Sequence, residues 1–246
     1  MIYLKTILAN ILCADWIGRC IAYCYGNTIP FYGTQIHTES QEVKPKTKAL
    51  LFWKMYESAE VRFVNRYLSD QYDVIELGGS IGAVSAQLGK KISNRKLISL
   101  EANAALIEIQ RQNLITNGIT NFELVHAAYG SEQKKIWFTL GEETTLGKIG
   151  EANQGNGFFV DSVSLQSLIT QFQLKEYVLV CDIEGAEIDL LMNEQDALAN
   201  CKLLIIETHD ALYKNIGYSS ENMKELLLQM GFRMIDQYGV NFVMAK

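Results

Sequence analysis

Hydrophobic and polar positions follow two regimes that meet near residue 70. Before it, the spacing is helical. Isoleucines, leucines and aromatics between Met1 and Pro30 are divided by Lys5, Asp15 and Arg19, and Gly26, Asn27 and Pro30 close the stretch. This pattern predicts one or two amphipathic helices, with no apolar run long enough to span a membrane. Leu51, Met55, Ala59 and Phe63 then share a stripe that Phe52, Tyr56 and Val64 widen, which predicts a further helix over about 47–68 docked on a sheet. The polar stretch 34–47, with Lys44, Pro45 and Lys46, is expected to be a linker or exposed connection. Residues 1–70 are thus expected to form an N-terminal helical extension, and 71–246 the main domain.

From Tyr72 onward, short apolar strands alternate with helical stretches. YDVIEL (72–77), KLISLE (96–101), NFELVHAA (121–128) and KKIWFTL (134–140) read as strands, with helices over about 81–90 and 104–116. EYVLVCD (176–182) and KLLIIET (202–208) are almost continuously apolar, as in strands covered by helices on both faces. After a helix over 220–230, two strands around Gly239 form a closing antiparallel pair. The alternation predicts a doubly wound α/β sheet. The segment 140–157, with five glycines, is expected to be a substrate-side loop or lid.

Composition narrows the function. With 48% hydrophobic and 20% charged residues, the 246-residue chain can bury a core. Its formal net charge of −6 disfavours a nucleic-acid partner. Five cysteines without a paired CxxC framework suit a reducing compartment, hence a cytoplasmic protein with at most peripheral membrane contact through its N-terminal helices.

The chemistry concentrates at strand ends. Glu76, Gly78, Gly79, Ser80 and Gly82 follow the first strand: the glycines permit a tight turn whose N–H groups face a ligand, and Glu76 suits a cationic amino-acid end better than a pyrophosphate. Glu101, ending the second strand, can accept hydrogen bonds from both hydroxyls of a ribose. Asn103 and Ala127 are candidates for the adenosine end, with a helix cap and ordinary packing as their competing readings. DIEGAE (182–187) ends the long apolar strand and places Asp182 and Glu184 in the same cleft, with Glu187 divided between cleft and helix dipole. His209, in ETHD (207–210), is the best placed of three histidines for a general base; metal ligation and structural hydrogen bonding are its alternatives.

DVIELGGSIG, SLEANAAL, HAAYG, VSLQSLI, VCDIEGAEIDLL and LIIETH, in this order, resemble the FkbM-type S-adenosylmethionine-dependent methyltransferases, with DIEGAE as the specific element. The resemblance implies a class I (Rossmann-like) fold: a mostly parallel seven-stranded sheet with a C-terminal antiparallel hairpin, preceded here by accessory helices. It also implies S-adenosylmethionine surrounded by Glu76, Gly78, Ser80, Gly82 and Glu101, with Asp182 near its reactive end. The expected reaction is O-methylation of a hydroxyl on a saccharide, glycoconjugate or related natural product. A small-molecule N-methyltransferase, an NAD-dependent oxidoreductase and a noncatalytic binding domain are the alternatives. The chain departs from the family in having Val180 where a lysine often precedes the DxEGAE acid, and Glu101–Ala102–Asn103 in place of Glu-Pro-Asn. Asp182, Glu184 and His209 are the catalytic candidates; a divalent metal is left open and unassigned to residues.

Overall fold

The computed structural model describes residues 12–141, 147–150 and 156–246. Its first elements are α1 (Asp15–Tyr25), the strands β1 (Thr28–Phe31) and β2 (Thr34–His37), and the helices α2 (Pro45–Phe52) and α3 (Ser58–Tyr67). Two features differ from the sequence pattern. The expected 47–68 helix is broken because Lys54 and Glu57 take positive φ values of 58° and 41°. The start of the expected linker is a strand. β2 pairs with β1, and its other edge is covered by side-chain amides: Asn113 and Asn117 accept the N–H groups of His37 and Gln35 at 2.6 and 2.9 Å and donate back to the same residues' carbonyls. Side chains acting as a neighbouring strand leave no trace in hydrophobic periodicity. Any helix within residues 1–11 lies outside the described residues.

The main sheet follows the predicted alternation: β3 (Asp73–Leu77), α4 (Ala83–Ile92), β4 (Leu97–Glu101), α5 (Ala104–Thr116) and β5 (Phe122–His126). A small second sheet interrupts it, built from β6 (Ala128–Tyr129), β7 (Lys135–Leu140), β8 (Gly147–Gly150) and β9 (Gly157–Val163). The main series resumes with α6 (Leu165–Phe172), β10 (Tyr177–Cys181), α7 (Glu187–Asn193), α8 (Gln195–Leu198) and β11 (Cys201–Glu207). α9 (Asp210–Tyr213), a 3-10 turn (Lys214–Ile216), α10 (Ser220–Gln229), β12 (Arg233–Tyr238) and β13 (Asn241–Ala245) complete the described elements. The expected loop 140–157 contributes β8, which pairs with β7; its remaining stretches at 142–146 and 151–155, and with them the lid expectation, lie outside the described residues.

The seven strands run in the order β12-β13-β11-β10-β3-β4-β5. β11, β10, β3, β4 and β5 are parallel, while β13 inserts antiparallel between β11 and β12. The chain leaves β3 toward β4 and later returns on its other side as β10, so the topological switch lies between β3 and β10, where ligands bind in open α/β sheets. Alternate residues of β3 serve two cores. Val74 packs in the cluster that includes Ile81, Leu88 and Leu106 of the α4/α5 side, and Ile75 and Leu77 pack with Leu168, Leu190 and Leu227 on the other. Ile29, Phe31, Leu51 and Phe63 belong to the first cluster, so packing runs continuously across residue 70.

Candidate active site

At the switch point the carboxyl ends of β3 and β10 meet. The Asp182 N–H donates to the Leu77 carbonyl at 3.0 Å, and a β-carbon at Gly78 (φ 94°) would collide with the Asp182 carbonyl oxygen. Only glycine serves there, and the contact holds the turn against DIEGAE. Above it opens a cleft lined by Gly78, Gly79, Ser80, Asp182 and Glu184. Glu101, Asn103 and Ala127 line it too, so eight of the predicted site residues converge on one cavity.

Glu101 is fixed by backbone donors. Ser80 N–H reaches its Oε2 at 2.8 Å and Asn103 N–H its Oε1 at 2.6 Å. Each oxygen retains further accepting capacity, which two ribose hydroxyls can use. Burial pushes the Glu101 carboxyl above the usual range, and the backbone bonds oppose that rise. Ser80 reaches this geometry at a φ of 46°. Asn103 also caps α5, its Oδ1 accepting the Ala105 N–H at 3.0 Å, so the cap reading and the cleft position coincide.

Glu76 and Gly82 stand behind the turn rather than in the wall of the cleft. Glu76 is 2% exposed, and its Oε2 accepts hydrogen bonds from Ser85 (2.6 Å) and Ser99, whose hydroxyls are in turn contacted by the Gln110 amide. Its Oε1 has no partner among the described residues. Burial raises its pKa to about 7, against the lowering effect of the serine hydrogen bonds. Glu76 thus lies behind the lining of the cleft, held by Ser85 and Ser99 beneath the turn. Val74 and Glu76 share the strand face under α4 and α5, and the serine-lined notch there takes the carboxylate. Gly82 begins α4 with a φ of 79°, packed against Gln110.

The acidic end is denser than the sequence suggested. Glu187 is fully buried and accepts from the Ile183 and Gly185 N–H groups, the Tyr213 hydroxyl and His209 Nδ1 at 2.8–3.1 Å. His209 Nε2 lies 3.3 Å from Glu184, 3.5 Å from Asp182 and 3.9 Å from Glu207. Burial disfavours the charged imidazole, but the Glu187 hydrogen bond and the charges of Glu187, Asp182 and Glu184 outweigh it, lifting its pKa to about 9. That direction favours the imidazolium, whose two N–H groups would each face a carboxylate. Nδ1 faces Glu187 and Nε2 faces Asp182, Glu184 and Glu207, so His209 stands among the carboxylates of the site.

Periodicity missed the contribution of the break between α2 and α3. Tyr56, Glu57 and Glu60 line the cleft from the N-terminal segment, with the Tyr56 hydroxyl 3.2 Å from Ser80 Oγ. Burial, then the charges of Glu207 and Glu184, raise Glu57 to about 7. Burial and neighbouring carboxylates likewise drive Glu60 and Asp182 upward. One signal was available: Glu60 lies four residues from both Tyr56 and Val64, a carboxylate on an apolar helical stripe. The aromatic rings of Tyr129 and Phe138 complete the wall near Ala127.

The family model described as the methyltransferase FkbM domain matches residues 80–234, more than half of the chain. A carboxy-S-adenosyl-L-methionine synthase from Nautilia profundicola is 23% identical over 202 residues, covering 77% of this chain and 81% of that protein. Among solved structures, a precorrin-6y C5,15-methyltransferase from Geobacter metallireducens GS-15 is similar at 15% identity and a TM-score of 0.42, covering 78% of this chain and 88% of that one. A SAM dependent methyltransferase from Aquifex aeolicus is similar at 12% identity and a TM-score of 0.41, covering 76% and 86%.

Proposed function

This chain belongs to the FkbM methyltransferase family and is an S-adenosylmethionine-dependent methyltransferase, and on that premise we propose that it methylates a hydroxyl oxygen of a saccharide, glycoconjugate or related natural product. The observation that carries the reading is the convergence, in one cleft, of a glycine turn, a backbone-clamped ribose acceptor and a carboxylate-rich end. S-adenosylmethionine supplies an electrophilic methyl group on a sulfonium. The residues fit it: the glycine turn clears space against Asp182, Glu101 takes the ribose hydroxyls, and the carboxylates favour a cation.

The chain's own task is to orient and to move a proton. Asp182, Ile183 and Glu184 line the same cleft as Glu101, which supports a reading in which the acceptor lies between the donor's methyl group and a pair of carboxylates. His209, with both nitrogens facing carboxylates, positions Asp182 and Glu184. The Asp182–Glu184 pair takes the hydroxyl proton as the new O–C bond forms and the electron pair of the broken S–C bond stays on sulfur. Holding the reacting atoms in line provides the larger part of the rate.

A second pocket, bounded by Ser131, Lys134, Asp189, Leu212 and Ile216, shares Glu184 and Ala186 with the cleft. Its mixture of polar and apolar groups suits an acceptor with hydroxyls on a hydrophobic frame. The test is incubation with methyl-labelled S-adenosylmethionine and a small-molecule and glycan extract, followed by mass spectrometry of the product. Label on a hydroxyl oxygen is expected. Label on nitrogen alone would overturn the oxygen assignment, and label on protein or nucleic acid alone would overturn the small-acceptor assignment.

A further inference from the structure

We propose that Glu57, Asp182 and Glu207 form a binding site for a hard divalent cation of the Mg2+ type at the acceptor end of the cleft. One carboxylate oxygen from each lies within 4.8 Å of the others. Metal–oxygen distances of about 2.0–2.1 Å for Mg2+ and 2.3–2.6 Å for Ca2+ allow two ligands of one ion to lie up to roughly 4.2 and 5.2 Å apart, so these oxygens can meet on a hard cation, with a small side-chain adjustment where it is Mg2+. An all-carboxylate set selects hard cations that prefer oxygen, and it leaves coordination positions for water or an acceptor oxygen.

The surroundings point the same way. Glu60 is 4% exposed and lines the same cleft; its Oε1 has no hydrogen-bond partner among the described residues, and its electrostatic neighbours include Glu57, Asp182 and Glu207. A fourth carboxyl buried in the same cleft, with one oxygen unpartnered, adds to a concentration of acids that a cation entering between them would offset. Asp182 Oδ1 is also buried without a hydrogen bond, its 3.5 Å approach to His209 being an ion-pair distance alone.

A neighbouring set, Asp182, Glu187 and His209, has its ligand atoms similarly close. It is closed, because Glu187 already receives four donors, one of them His209 Nδ1. The open set joins three separate segments: Glu57 from the break before α3, Asp182 after β10 and Glu207 at the end of β11. Binding would tie the N-terminal segment to the sheet beside the reacting oxygen. That catalytic placement rests on the methyltransferase reading, whereas cation binding does not.

The experiment titrates the full chain with Mn2+ by electron paramagnetic resonance and with Mg2+ by calorimetry, with S-adenosylmethionine binding measured in parallel. One ion per chain is expected, with at least tenfold weaker affinity in Glu57→Gln and in Glu207→Gln. Glu108→Gln, at a side chain that is 81% exposed, should bind as the parent does. Absence of stoichiometric binding to the parent protein would overturn the site, whatever the folding of the variants. So would unchanged affinity in folded Glu57→Gln and Glu207→Gln. Donor binding without metal binding refutes this site alone; metal binding without donor binding refutes the methyltransferase reading and leaves the site standing.

Discussion

The stability of Glu76→Gln relative to the parent should rise with pH. The parent side chain is 2% exposed, and its carboxyl titrates at about 7 in the fold against an ordinary value of 4.5. Between those values the folded state holds a proton that the unfolded chain has released, so parental stability falls as pH climbs and levels off above 7. The whole difference corresponds to about 3 kcal/mol, of which roughly 2.5 kcal/mol develops between pH 5 and pH 8. Glutamine keeps an oxygen for Ser85 and Ser99 but puts an amide where the unpartnered Oε1 stands. That adds a cost of about 1–3 kcal/mol which does not vary with pH. The informative quantity is therefore the Tm of the variant minus that of the parent, measured at both pH values. Other titrating groups cancel in this difference. It should grow by roughly 5–10 °C from pH 5 to pH 8. An equal difference at both values would refute the claim that burial keeps Glu76 protonated, and with it the role of that carboxyl as a neutral support of the turn.

Further outcomes follow from the same geometry. Gly78→Ala combines an unfavourable φ with a collision against the Asp182 carbonyl, so Tm should fall by roughly 2–10 °C and donor binding should vanish; parental affinity in calorimetry would contradict it. Glu101→Gln leaves Ser80 N–H or Asn103 N–H without its acceptor and removes a ribose acceptor, which should weaken S-adenosylmethionine binding by roughly 10–100-fold while the far-ultraviolet circular dichroism is kept. Cys20 and Cys24 are exposed, whereas Cys13, Cys181 and Cys201 are buried and Cys201 is pushed up to about 12 by that burial. Iodoacetamide should therefore label two thiols quickly in the native protein, as read by intact mass, and all five only after unfolding.

The sheet was legible because buried parallel strands announce themselves. VLVC and LLII admit little other than strands covered on both faces, and Gly239 between two alternating runs marks the hairpin. The cleft was legible for a related reason: acids at strand ends, as at Glu101 and Asp182, are carried by topology to one edge of the sheet. What escaped depended on contacts between distant residues. The β1/β2 hairpin is held by Asn113 and Asn117, about 80 positions away, and Glu57 meets Glu207 only through the tertiary fold. The surroundings of His209 likewise form only when the end of β11 comes beside the 182–187 run, which brings Asp182, Glu184 and Glu187 to its ring.

The central claim is that the cleft between the glycine turn, Glu101 and Asp182 is built for S-adenosylmethionine. Isothermal calorimetry of the full chain with S-adenosylmethionine and with NAD, run on the parent and on Glu101→Gln, tests it most directly. One molecule of the methyl donor should bind per chain, with affinity lost in the variant and no heat from NAD. Binding of NAD without binding of the methyl donor would contradict the account.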